Sequence, residues 1–266
     1  MREIDIEELK QLQLQILISV DAFCKANGIE YSLAAGTLIG AIRHKGYIPW
    51  DDDIDICMTR PNYDRFLKSF NGAYDHLHVL APEITMNYYA PYANVCDKRT
   101  ILDEGKNGHH GIEIGVKIDI FPIDGVSRDL QEYRKMCNKA YKYIRILSIK
   151  NLILHKMNTR TKIKAVIGKV LYMFSSYHSL QDKIHRLALE NGYLESDFAS
   201  LVVFDPIAFR APRIVFDTYE DIVFEEYSFR TVKEKDLFMR LRYGDYMKLP
   251  PEDQRIPHHG FTAYWK

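Results

Sequence analysis

Residues 31 to 58, YSLAAGTLIGAIRHKGYIPWDDDIDICM, constrain this chain more than any other stretch, because they write charges into an apolar alternation. The run Ile54-Asp55-Ile56-Cys57-Met58 alternates as a half-buried strand does, so Asp53 and Asp55 share one face while Ile54 and Ile56 share the other. Side chains two positions apart on a strand start roughly 6.6 Å from each other. Carboxylates at that spacing repel, unless their oxygens converge on one divalent cation or a close metal pair. Two blander readings compete. A calcium loop starting at Asp51 fails, because its sixth residue would be Ile56 instead of Gly and its twelfth Asn62 instead of Glu. A solvated acidic turn after Pro49 accounts for Asp51 and Asp52, but leaves Asp55 as a costly unpaired charge among apolar residues.

The preceding residues supply a complementary anion site. Residues 29 to 35 read as a short strand, Gly36 as a turn needing backbone freedom, and Thr37 as the N-cap of a helix through Leu38, Ile39, Ala41 and Ile42. The first amides of such a helix point at a bound anion. Arg43, His44 and Lys45 then either complement the C-terminal dipole of that helix or reach a donor phosphate. A third carboxylate follows in Lys117-Ile118-Asp119-Ile120-Phe121, where Lys117, Asp119 and Phe121 share one face. If this strand pairs beside the first, three carboxylates meet; otherwise Asp119 is an edge-strand charge in solvent. Asp124-Gly125 reads as turn chemistry.

Taken together, the blocks from Gly36 to Gly46, Ile48 to Ile56, Lys117 to Gly125 and Tyr243-Gly244-Asp245-Tyr246-Met247 with Leu249-Pro250-Pro251 resemble the LicD family. That family includes bacterial phosphocholine transferases and is similar to the catalytic domain of fukutin-related protein. The resemblance implies an α+β fold, with a nucleotidyltransferase-like mixed sheet, flanking helices and an additional helical region. It implies transfer of an alcohol phosphate, such as phosphocholine, from CDP-choline or another CDP-alcohol to a glycan acceptor. Residue by residue, it assigns Asp53, Asp55 and Asp119 to metal binding and catalysis, and Gly36 and Thr37 to the helix start. With Arg43, Lys45, Trp50 and His258, the last two complete the expected substrate-binding set. The expected cofactor is Mg2+, with Mn2+ as the alternative, and the acceptor's base is Asp119, His258 or His259. A choline head group calls for aromatic faces, which Tyr88, Tyr89, Tyr92, Trp50 and Trp265 could offer. Two rivals stand beside this reading: transfer of the nucleotide itself with pyrophosphate release, and a non-catalytic glycan- or metal-binding module.

The rest of the chain bounds these readings. With 266 residues, 47% of them hydrophobic, it can bury a sizeable core, and its zero net charge argues against nucleic acid as a partner. Cys24, Cys57, Cys96 and Cys137 are too scattered for a zinc ribbon or a disulfide scaffold. The charged N-terminus lacks the apolar core of a signal peptide, so the expected location is cytoplasmic, or peripheral at the inner face of the plasma membrane. Asp5 and Glu8 open a helix that ends at Asn27-Gly28, and strands are expected at 76 to 80, 84 to 95 and 112 to 121. His109 and His110 fall in a Gly- and His-rich loop. The expected organisation is a catalytic core over 1–125, with a helical region and C-terminal segment over 126–266 packed on it, or one continuous domain. From 128 to 170 there are twelve Lys and Arg against two acidic residues; from 195 to 226 there are eight acidic residues against two basic. Either these two faces attract each other, or the basic one docks on anionic lipid.

Overall fold

The computed structural model describes residues 1–105, 108, 111–203, 209–256 and 260–266. His109, His110, His258 and His259 therefore lie outside the described residues. The fold is α+β, as expected, and its centre is a mixed sheet of seven strands whose main path runs β2 (Ser32–Leu33), β3 (Asp55–Thr59), β7 (Lys117–Val126), β5 (Ala93–Asp97) and β4 (Leu77–Leu80), with two short strands joined on through β7. Strands β3 and β7 run parallel, and the other neighbours are antiparallel. On the edge away from β3, the ten residues of β7 serve two partners. Its first half pairs with β5, and its second half pairs with β8 (Phe198–Ser200).

Helix α1 (Ile6–Asn27) packs its apolar stripe, including Leu9, Leu12, Ile16 and Val20, into this core. Its ends follow the sequence: the Asp5 carboxylate accepts from the Glu8 amide at 2.9 Å, and Gly28 closes the helix at φ 60°. After β3 the chain enters α3 (Arg60–Ser69), where Pro61 occupies the first turn, which has no need of its missing N–H. The Thr59 side chain does not cap this helix; it accepts from Asn62 Nδ2 instead.

A second sheet closes the chain on itself. Strand β12 (Thr262–Trp265) lies between β1 (Arg2–Ile4) and β6 (Thr100–Asp103), antiparallel to both. Helices α4 (Leu130–Asn151), α5 (Thr159–Leu171) and α6 (Tyr177–Ala188) form the helical region, with a separate apolar cluster around Tyr133, Met136, Leu147, Leu180 and Ile184. The chain then returns to the first core through Phe209, Val215, Phe229 and Phe238, by way of the hairpin β10 (Tyr219–Phe224) and β11 (Tyr227–Val232) and helix α7 (Lys235–Tyr243). No helix among the described residues is long and apolar enough to cross a membrane.

Three local expectations need correction. Residues 84 to 92 carry no strand, because β5 begins only at Ala93. Strand β6 was not anticipated. Asp124-Gly125 is no turn but lies buried within β7, where Asp124 Oδ1 accepts from Arg60 Nε at 2.6 Å. Burial works against the Arg60 charge, and the Asp124 carboxylate more than offsets it, so the guanidinium titrates above its ordinary value.

Candidate active site

Strand register builds the site. Asp55 on β3 pairs across with Asp119 on β7, and Asp119 pairs across with Asn94 on β5, so three polar side chains form one row over the middle of the sheet. All three are buried. Asp119 Oδ1 accepts from Lys117 Nζ at 2.6 Å and from Asn94 Nδ2 at 2.5 Å, while the Tyr88 hydroxyl donates to Asn94 Oδ1. These two donors fix the orientation of the Asp119 carboxylate. Lys117 titrates well above the ordinary lysine value; burial opposes its charge, and Asp119 outweighs that.

Asp53 sits two residues before β3. One carboxylate oxygen from each of Asp51, Asp52 and Asp53 lies within 4.8 Å of the others. Asp53 also lines one cavity with Gln13, Glu104, Lys117, Asp119 and Phe261. Gln13 of α1 supports this corner by donating from Nε2 to the Asp52 carbonyl at 3.0 Å. The Asp55 carboxyl is pushed well above the usual carboxylate range, first by burial and then by the charges of Asp53, Asp119 and Asp51, with Lys117 opposing. Such a cluster is short of positive charge. Its donors are all hard carboxylate oxygens, and the residues present therefore fit Mg2+ or Mn2+.

Helix α2 (Ala35–Arg43) begins three residues earlier than its sequence suggests. Its N-cap is Ala34, without a side-chain cap, and Ala35 takes φ 43°. Thr37 is consequently inside the first turn and is no N-cap; its hydroxyl accepts the Asp55 amide at 2.8 Å, fastening the helix start to the carboxylate strand. At Gly36, a Cβ would stand 2.4 Å from Asp51 Oδ2, so only glycine lets this carboxylate approach the helix start. Gly36, Thr37, Asp53, Asp55 and Asp119 thus come together.

The remaining candidates cluster elsewhere, at the other end of α2. Arg43 Nη1 donates to the carbonyls of Tyr246 at 3.0 Å and Lys248 at 3.4 Å, tying that end to the C-terminal Tyr243–Pro251 block. Lys45 is exposed at φ 65°, and its carbonyl accepts from the Glu225 amide at 2.7 Å. Trp50 is half-buried, with the His44 ring 6.5 Å from its own and the Arg255 guanidinium 5.7 Å over it. His258 lies outside the described residues. Asn94, Gln13 and Glu104 were missed by sequence reading. Asn94 could have been found only by knowing that β5 lies against β7, since nothing local marks it.

A sheet carrying an in-register carboxylate row, with a glycine-opened helix start fastened beside it, is an arrangement suited to phosphoryl transfer. Comparison with known proteins narrows this. Residues 28–127 match the family model described as LicD/FKTN/FKRP, nucleotidyltransferase domain. The chain is 31% identical over 270 residues, 99% of both chains, to the lipopolysaccharide cholinephosphotransferase LicD of Haemophilus influenzae. It is also 33% identical over 94 residues, 34% of this chain and 30% of the other, to an uncharacterized protein of Rickettsia prowazekii. The chain belongs to the LicD family and is a phosphotransferase.

Proposed function

We propose that this enzyme transfers phosphocholine, from CDP-choline, to a hydroxyl of a cell-surface glycan or its lipid-linked precursor, releasing CMP. The observation that carries the reading is the in-register pair Asp55 and Asp119, in a chain similar along its whole length to a lipopolysaccharide cholinephosphotransferase. In the transfer, an oxygen of the acceptor forms a bond to the phosphorus next to choline, and the bond from that phosphorus to the CMP oxygen breaks. Asp53, Asp55 and Asp119 would hold Mg2+ or Mn2+, which when bound supplies positive charge against the diphosphate and the leaving CMP.

The chain's own groups do the positioning. The amides opening α2 would face the donor's phosphates, and Thr37 keeps the helix start in register with Asp55. Asp119, oriented by Lys117 and Asn94, directs the acceptor hydroxyl or takes its proton. The aromatic candidates differ in suitability for a quaternary ammonium. Trp265 already faces the guanidinium groups of Arg2 at 6.0 Å and Arg99 at 5.5 Å, and Trp50 faces Arg255, so a second cation is repelled there. Tyr89 reaches Glu104 Oε1 at 3.4 Å, and Glu104 lines the cavity that holds Asp53 and Asp119. An aromatic face beside a carboxylate suits the choline cation.

Incubation with CDP-choline and other CDP-alcohols, with and without Mg2+, tests the proposal. The expected products are free CMP and choline phosphate on the glycan, formed only with the cation. Pyrophosphate release from a nucleoside triphosphate, with nucleotide left on the acceptor, would replace this reading with nucleotidyl transfer.

A further inference from the structure

The exposed face of α5 is apolar. Ala165 and Gly168 turn inward, while Ile163, Val166, Ile167 and Val170 follow the i, i+3, i+4, i+7 spacing along the opposite side. Ile163 is 57% exposed, Ile167 56%, Val170 61% and, just beyond the helix, Phe174 93%. On the helical repeat, Lys162 borders this row on one flank and Arg160 and Lys164 on the other, while half-buried Lys169 donates from Nζ to the Lys150 carbonyl at 2.6 Å. The charge context is one-sided: from Tyr133 to Gln181 there are eleven Lys and Arg and no Asp or Glu. The acidic stretch 195 to 226 does not neutralise this face among the described ion pairs. Arg213 pairs with Asp217 and Arg230 with Asp221, and the pair between the two stretches, Arg128 with Asp197 at 3.8 Å, lies outside α5.

We infer that the outer face of α5, with the turn through Phe174, docks in the plane of an anionic bilayer surface. Three observations favour a bilayer over other occupants. The face is the outer side of a single helix, so one element presents all four of its apolar residues. Apolar residues in the middle and cations on both flanks match an apolar interior beneath anionic headgroups. Against a second copy, a two-fold contact through this face would set its lysine flanks against themselves. The docking face also connects to the candidate site. Lys156, in the short turn leading into α5, pairs with Asp103 at 2.8 Å on β6, whose neighbour Leu102 lines the cavity of Asp53 and Asp119. A bilayer under α5 would present a membrane-anchored acceptor near that cavity. The docking itself does not depend on which group is transferred.

Co-sedimentation of the whole chain with phosphatidylglycerol-containing and pure phosphatidylcholine vesicles, over a salt series, tests this. Binding to the anionic vesicles alone is expected, weakening as salt shortens the screening length below about 8 Å. Ile167→Asp with Phe174→Asp should abolish it. Lys162→Glu with Lys164→Glu should weaken it at least tenfold, since each cation near an anionic surface contributes roughly a fivefold factor. Melting temperature and turnover on soluble acceptor should stay unchanged in both variants, which separates lost docking from lost folding or lost chemistry. Equal binding to both vesicles, binding to neither, or binding untouched by the aspartate pair overturns the inference. So does a dimer in solution that the aspartate pair dissociates.

Discussion

The carboxylate row on the sheet and the outer face of α5 invert the usual rule in opposite directions. On the sheet, Asp55 and Asp119 are charges placed inside; on α5, Ile163, Ile167 and Val170 are apolar side chains placed outside. Both arrangements are costly for an isolated molecule; the proposed divalent cation would offset the first, and the proposed anionic surface with its apolar interior the second. The two differ in how firmly they are held. The row is fixed by three strands and four named side chains, whereas α5 rests on a narrow inward strip around Ala165 and Gly168. The proposed chemistry needs fixed geometry and is placed on the part held by more neighbours, whereas the proposed surface contact would tolerate sliding.

The comparison breaks most visibly at the row. Asp55→Asn and Asp119→Asn should each reduce turnover by on the order of 10³-fold, because each would take a carboxylate ligand from the cation proposed to stabilise the leaving CMP. Folding should survive. Since Asp55 is raised in the folded chain, its ionisation costs stability as pH rises from the ordinary carboxylate value through the raised one. In EDTA, wild-type stability should therefore fall over that window, and Asp55→Asn should melt higher at neutral pH; a lower melting point would show that this carboxylate supports the apo fold. Asp124→Ala should behave in the opposite way. Losing the partner of buried Arg60 should cost about 3–5 kcal/mol in urea unfolding, with little change in chemistry per folded molecule.

Smaller effects sharpen the contrast. Gly36→Ala should lower turnover by about 10- to 100-fold with stability changed by under ~1 kcal/mol, since the new methyl displaces the end of the Asp51 side chain and not the backbone. Adding Asp51→Ala should then cost little more. Glu104→Gln should raise KM for CDP-choline about fivefold with kcat nearly unchanged, if the carboxylate serves the cationic head group. Ile167→Ser should alter unfolding free energy by no more than about 0.5 kcal/mol, because that side chain is already in water.

Period-2 alternation made both carboxylate strands legible, and it placed Lys117 on the face of Asp119, where the two now pair. The amphipathic pattern and its caps did the same for α1. What alternation cannot carry is the identity of a strand's neighbour. Asn94 joins the row only because β5 lies against β7, and β6 finds its partner at the other end of the chain. Thr37 misled for a related reason: a threonine after a glycine looks like a cap until Ala34 and Ala35 are seen to start the helix earlier and turn its hydroxyl toward β3. Asp124-Gly125 looked like a turn because the cation that holds the carboxylate, Arg60, is 64 residues away.

Strand β12, which begins at Thr262, bonds on one side to Arg2–Ile4 and on the other to Thr100–Asp103. As the ribosome works from the amino side toward the carboxyl side, both β1 and β6 are made well before β12, the strand that both of them pair with. Until β12 follows, two strand edges wait with open backbone donors and acceptors, and closing them ties together segments far apart in the sequence. The nascent polypeptide can begin its central sheet once β7 has emerged, but the wall that carries Leu102 cannot be completed until β12 has emerged too.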